Sequence, residues 1–282
     1  MASVPRRRVH DGEDVDSRAV STGSTQGVGP WLVSFSAPID ARMRLFVFPY
    51  AGGAPAAFRS WPAALGPRIE THFVALPGRE RRFPETPVTR AAHIVAPVAT
   101  AIASFDPRPF VLFGHSMGSV LAFEVARELR RSGRGSPAAL VVSGRCAPHV
   151  KPRSPALSHL PDSELIREVA RLFGGTPPKV LDEPELIQLM ARGLRADLAV
   201  IESYRYTAEE PLGCPILALR GDDDPWVSRD ELETWREQTS AEFDSAPLGG
   251  DHFYFKTPAG ERQLLARLLE YCTRASARGG SG

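Results

Sequence analysis

The segment PFVLFGHSMGSVLAFEVARELRR, residues 109–131, decides the fold. It opens on a short apolar run, Pro109–Gly114, that suits a buried strand, and it closes on a helical stretch, Ser119–Arg131. Between them lies only Gly114-His115-Ser116-Met117-Gly118. A strand that passes at once into a helix strains the residue at the turn, and glycines on both sides of Ser116 remove side chains that would collide there. Alone, Gly-x-Ser-x-Gly is a weak pattern. With a strand before it and a helix after it, the pattern predicts a serine hydroxyl held out at the end of a strand.

Working outward, the same alternation repeats. Arg44–Tyr50, His72–Leu76, Ala138–Ser143 and Pro215–Arg220 are further apolar runs, while Thr89–Phe105 and Arg229–Gln238 are helical. Strands apolar on both faces that alternate with helices predict right-handed crossovers and a mostly parallel sheet covered on both sides, an α/β three-layer sandwich. One connection is too long for a single helix: Cys146 to Gly213. Within it Leu165, Val169, Leu172 and Phe173, then Leu186, Met190, Leu194, Leu198 and Ile201, recur at helical spacing. Two amphipathic helices are therefore expected over residues 147–212, as a lid above the C-terminal edge of the sheet, where ligands of open α/β folds bind.

Composition bounds the rest. The 282 residues are 43% hydrophobic and 24% charged, which excludes a wholly disordered chain and leaves room for one large core. Basic and acidic residues number 34 and 33, so a net charge of +1 gives no field to attract nucleic acid or an anionic membrane. Cys146, Cys214 and Cys272 are an odd number and form no metal-binding spacing, which fits a reducing cytoplasm and no metal. Arg6-Arg7-Arg8 is followed by polar sequence rather than an apolar core, so export is not expected. Residues 1–40 read as an unstructured tail ahead of a domain over 41–275, with 276–282 a flexible end.

A serine hydroxyl needs a base, and the base needs a carboxylate that fixes its tautomer, in the chain order serine, acid, histidine. His252, in Gly249-Gly250-Asp251-His252-Phe253, is the one histidine of seven in a loop downstream of an acid-bearing loop. That acidic loop, Gly221-Asp222-Asp223-Asp224-Pro225, follows a strand and leaves three candidates: Asp222, Asp223 and Asp224. Asp251 is adjacent to His252, and neighbouring side chains diverge in an extended loop. Two backbone N–H groups must also face the oxyanion of an acyl-transfer intermediate. One belongs to Met117, the other to the glycine-rich turn Phe48-Pro49-Tyr50-Ala51-Gly52-Gly53.

These residues together resemble the stand-alone, type II thioesterases of polyketide and non-ribosomal peptide assembly lines, which are α/β-hydrolases. The resemblance runs from about Arg42 to Arg274 through FPYAGG (48–53), ALPGRERR (75–82), FGHSMG (113–118), LRADLAVIESYRY (194–206), GDDDP (221–225) and GDHF (250–253). It implies Ser116 as nucleophile, Asp224 as orienting acid, His252 as base, and the N–H groups of Ala51 and Met117 as the oxyanion hole. A mobile lid would line an acyl pocket, with Tyr50, Phe173, Met190 and Leu194 as lining candidates. No cofactor is implied; the substrate is an acyl thioester on the phosphopantetheine arm of an acyl or peptidyl carrier protein. The resemblance further implies editing of stalled acyl groups by a cytoplasmic monomer. Arg79, Arg81 and Arg82 are candidates for a carrier-docking face. A releasing or cyclising thioesterase, a small-ester esterase and a non-catalytic docking partner of a synthase are the rival readings.

Overall fold

The computed structural model describes residues 29–176 and 178–279. In chain order its elements are β1 (Leu32–Val33), β2 (Met43–Phe48), α1 (Trp61–Leu65), β3 (Ile69–Val74), α2 (Ala92–Ala103), β4 (Phe110–His115), α3 (Met117–Arg131), β5 (Ala139–Ser143), α4 (Asp162–Phe173), α5 (Pro178–Asp182), α6 (Pro184–Ser203), β6 (Ile216–Gly221), α7 (Arg229–Glu233), β7 (Phe243–Leu248) and α8 (Pro258–Gly279). The sheet order is β1-β3-β2-β4-β5-β6-β7; β1 is antiparallel to β3 and every other pair is parallel.

Side chains alternate across the strands, so each central strand feeds two cores. Phe46, Phe48, Leu112, Leu140, Val142 and Ile216 face α2 and α3. Leu45, Val47, Val111, Phe113, Val141 and Leu217 face α1 and α8. Burial on both faces is what makes these strands read as continuous apolar runs. The α/β three-layer architecture is as expected from that pattern.

Three boundaries differ from the sequence reading. Residues 32–33, within the stretch read as tail, form β1: Leu32 is buried, and Arg82 stacks 4.4 Å from the centre of the Trp31 ring. Two ladder residues give no periodicity to read, and what anchors them is side chains brought in from beyond β3. Residues 1–28 lie outside the described residues. At the other end α8 continues through 276 to Gly279. The edge strand β7 was not expected either: its sequence, FDSAPL, contains Pro247, and it is buried only at Ala246 and Leu248.

The insertion holds three helices rather than two, because five-residue α5 is too short to show a period. Helices α4, α5 and α6 share a small core of their own, with Leu165, Ile166, Val180, Ile187, Ala191 and Leu194 buried in it. Val169, Phe173 and Leu198 pack against that core and, with Leu194 and Ile201, line the cavity below. Among the described residues no helix is long and apolar enough to cross a membrane.

Candidate active site

The turn at Ser116 is as tight as its glycines require. Ser116 sits at φ 53° and ψ −113°, a conformation that side chains rarely adopt. A Cβ on Gly114 would stand 2.0 Å from the Gly118 carbonyl oxygen, and one on Gly118 would stand 2.3 Å from the Phe48 oxygen. The strained residue is held by its neighbour strand: Ser116 N–H donates to the Ser143 carbonyl at 2.7 Å, and the one hydroxyl hydrogen of buried Ser119 is shared between the carbonyls of Gly114 and Ser143, 2.8 and 2.9 Å from its Oγ. Gly114→Ala is expected to cost about 3 kcal/mol or more by forced overpacking. In a thermal melt the midpoint would fall by roughly 6–12 °C.

The loops after β6 and β7 are stitched together. Asp222 N–H donates to Leu248 O at 2.7 Å, Asp223 N–H donates to Gly250 O at 2.9 Å, and a Cβ on Gly221 would stand 2.1 Å from Asp251 O. This brings His252 Nδ1 to 2.8 Å from Asp224 Oδ2, with both residues buried. The other carboxylate oxygen of Asp224 accepts the Trp226 N–H at 2.9 Å, which fixes its plane. Asp222 and Asp223 are exposed, and Asp251 accepts the Phe253 N–H at 2.8 Å. Of the three acids left open by the sequence, Asp224 alone is bonded to the imidazole.

Ser116 and His252 line one cavity of about 920 Å³. Tyr50, Ala51, Phe173 and Leu194 line it as well, whereas Met190 lines a second cavity of about 700 Å³ beside it. Phe173 at the end of α4 lies 5.5 Å from the His252 ring, giving the imidazole an apolar cover.

Tyr50–Gly53 is a turn closed by a 2.8 Å bond from Gly53 N–H to Tyr50 O, with Gly52 at φ 80°. A type II turn demands that sign at its third residue. It leaves the N–H of the second residue, Ala51, outside the turn's own hydrogen bond. Met117 opens α3, and a first-turn N–H has no partner within the helix. A thioesterase-domain family model matches residues 43–272.

The chain belongs to the thioesterase family.

The thioesterase is 41% identical to the gramicidin S biosynthesis protein GrsT of Aneurinibacillus migulanus, over 80% of this chain and 88% of that one. Among solved structures it is similar to RedJ, a thioesterase of prodiginine biosynthesis in Streptomyces coelicolor, with a TM-score of 0.77 at 37% identity over 83% of this chain and 92% of that chain. It is also similar to BorB, the type II thioesterase of the borrelidin cluster, with a TM-score of 0.80 at 33% identity over 88% and 99%.

Two parts of the thioesterase site went unread in the sequence. The first is a clamp. Asp197 of α6, 1% exposed, accepts from Gly52 N–H at 2.7 Å and from Arg79 Nη1 and Nη2 at 2.7 and 2.6 Å. Arg79 Nη1 also donates to Gly53 O at 2.8 Å. One ion pair therefore ties the lid to the turn that carries Ala51. The segments ALPGRERR and LRADLAV carry both partners, but nothing in one sequence pairs them. The second lies under the imidazole: His115 Nδ1 is 2.9 Å from Ser143 Oγ, which is 2.7 Å from the Tyr254 hydroxyl. Burial, then the neighbouring His252 and Lys256, push the His115 imidazole well below its usual range. A neutral ring there adds no positive charge next to His252.

Two of the three arginines named for carrier docking are engaged within the fold: Arg79 on Asp197, and buried Arg82 on Glu85 at 2.6 Å. Arg81 is exposed and donates through Nη2 to the carbonyls of Pro30 and Leu32 at 3.1 Å.

Proposed function

We propose that this chain is a stand-alone thioesterase that frees stalled or aberrant acyl groups from the phosphopantetheine arms of carrier proteins in a polyketide or non-ribosomal peptide synthase. Ser116 Oγ attacks the thioester carbonyl while His252 takes the hydroxyl proton, with Asp224 holding the imidazole and stabilising it when charged. The N–H groups of Ala51 and Met117 receive the oxyanion. Collapse expels the pantetheine sulfur, which takes the proton from His252 and leaves a Ser116 acyl ester. Water then gives its proton to the same imidazole, attacks the ester, and releases the free acid and the serine hydroxyl. A thiol has a pKa near about 8.5, so its departure needs less help from a general acid than an amine's would.

The observation that carries this reading is the buried 2.8 Å pair of Asp224 and His252, whose imidazole lines one cavity with strained Ser116. The similarity to proteins of gramicidin S and borrelidin biosynthesis supports the synthase setting. The three described cysteines are buried and free, in keeping with a reducing cytoplasm.

The test offers the wild-type protein a panel of carrier proteins loaded with short acyl groups, with full-length products, and with the matching oxygen esters. Short acyl thioesters are expected to turn over at least ~10-fold faster than either alternative, a gap of about 1.4 kcal/mol in barrier. Preference for the mature chain would replace editing with product release. Equal rates on oxygen esters would replace it with a general esterase.

A further inference from the structure

Resting on the carrier-thioester reading above, we infer that Arg145, Lys151 and Arg205 form an anion subsite at the mouth of the Ser116 cavity that holds the phosphate of the phosphopantetheine arm.

Charge around the two cavities differs sharply. The cavity containing Ser116 and His252 is lined by Arg145, Lys151, Arg153 and Arg205 against one carboxylate, Glu202. That carboxylate is already engaged, accepting the N–H groups of Leu157 and Ser158 at 2.7 and 3.0 Å and the Ser158 hydroxyl. Arg153 is likewise spent, on Glu231 at 2.8 Å. Arg205 donates through Nη1 to the carbonyls of Glu202 and Tyr204, at 2.9 and 2.7 Å, and keeps its remaining donors. Among the described residues no carboxylate pairs with Arg145, Lys151 or Arg205. The adjoining cavity, which shares Tyr50, Ala51 and Leu194 with the first, is balanced: Arg79 and Lys256 face Glu80 and Glu261, and Arg79 is neutralised again by Asp197.

Arg145 makes the imbalance costly. It lies two residues past Ser143, whose carbonyl receives the Ser116 N–H. Its main chain is pinned by a 2.8 Å bond from the Trp235 indole to its carbonyl. Burial draws the guanidinium below the usual arginine range, and the groups that oppose this are the Cys146 thiol and the Tyr204 phenol rather than a carboxylate. A charge taken out of water without a counter-ion is unfavourable, and a bound anion offsets that penalty.

An acyl thioester carries no charge at its reacting atoms, so the anion must come from elsewhere in the substrate. On a carrier-bound substrate that is the phosphate joining the arm to the protein. A guanidinium suits two phosphate oxygens at once, and a lysine supplies a point charge beside it. Lys151 and Arg205 line this cavity and are both exposed, where the far end of an arm would rest.

The experiment compares the full-length protein with Lys151→Ala/Arg205→Ala and with Arg145→Gln. Three substrates share one acyl group: the N-acetylcysteamine thioester, which has no phosphate, the phosphopantetheine thioester, and the loaded carrier. A fourth is an N-acetylcysteamine thioester whose acyl group ends in a carboxylate. In the wild type, kcat/KM should favour phosphopantetheine over N-acetylcysteamine, and the variants should lower that ratio ~10-fold or more, chiefly through KM, with a weaker response to salt. A ratio equal in wild type and variants overturns the subsite. Loss confined to the carboxylate-bearing substrate overturns the phosphate and assigns the cations to the acyl group. A wild-type protein inert on all four overturns instead the thioesterase reading on which the subsite rests.

Discussion

Ser116→Ala is expected to lower kcat on acyl thioesters by about 10⁴-fold or more, because no other group lining the cavity stands ready to form the acyl ester. The hydroxyl contributes nothing to the elbow's own hydrogen bonds, which run through its main chain and through Ser119. The variant should therefore melt close to the wild type, and an alanine at a positive φ carries the same backbone strain as the serine it replaces. Asp224→Asn tests the next link. The asparagine oxygen can still accept the Trp226 N–H, so the fold is kept, but an amide group then faces His252 Nδ1 and turns the imidazole into the wrong tautomer. A loss of about 10³–10⁴ in kcat is expected. Thiol release followed with a chromogenic disulfide reports both. Turnover by Ser116→Ala within tenfold of wild type would falsify the covalent mechanism.

What was legible in the sequence is what local physics dictates. The strand, turn and helix around Ser116 are contiguous, so one segment carries the strain, the glycines that relieve it and the apolar faces on either side. Buried strands such as β2 and β4 announce themselves by apolar runs. Strand β7 does not, since its outer side lacks a neighbour and its residues alternate with exposed ones. The acid was narrowed to three by chain order, and only the stitching of two loops brings Asp224 rather than Asp222 or Asp223 to the imidazole. The Arg79–Asp197 pair is separated by 118 positions, and Gly52 and Asp197 by 145. No periodicity reaches that far, so two conspicuous motifs stood unpaired until folded. The arginine run hid its roles for a related reason: a charge cluster in sequence does not say that Arg79 and Arg82 find carboxylates within the fold while Arg81 stays exposed.

Asp197→Ala is expected to damage both stability and chemistry, through different bonds. Its carboxylate is buried and receives the Gly52 N–H and two donors of Arg79; removing it strands a guanidinium whose side chain is only 12% exposed. Breaking such a pair from one side costs about 3–5 kcal/mol. The Gly52 N–H also loses its acceptor, which frees the turn that presents Ala51 toward the proposed oxyanion, and misplacing one such donor costs about 10²–10³ in kcat. The double variant Arg79→Leu/Asp197→Leu separates the two effects. Replacing both charges by packed apolar groups can restore stability, yet nothing then accepts the Gly52 N–H. The melting midpoint should recover toward wild type while kcat stays low, with KM for the acyl thioester little changed. Arg79→Lys should lie between, since a single ammonium cannot reach both carboxylate oxygens and the Gly53 carbonyl together. If kcat returned with the melting midpoint in the double leucine variant, the clamp would be holding the fold alone, and α6 would have no grip on the chemistry of the turn that carries Ala51.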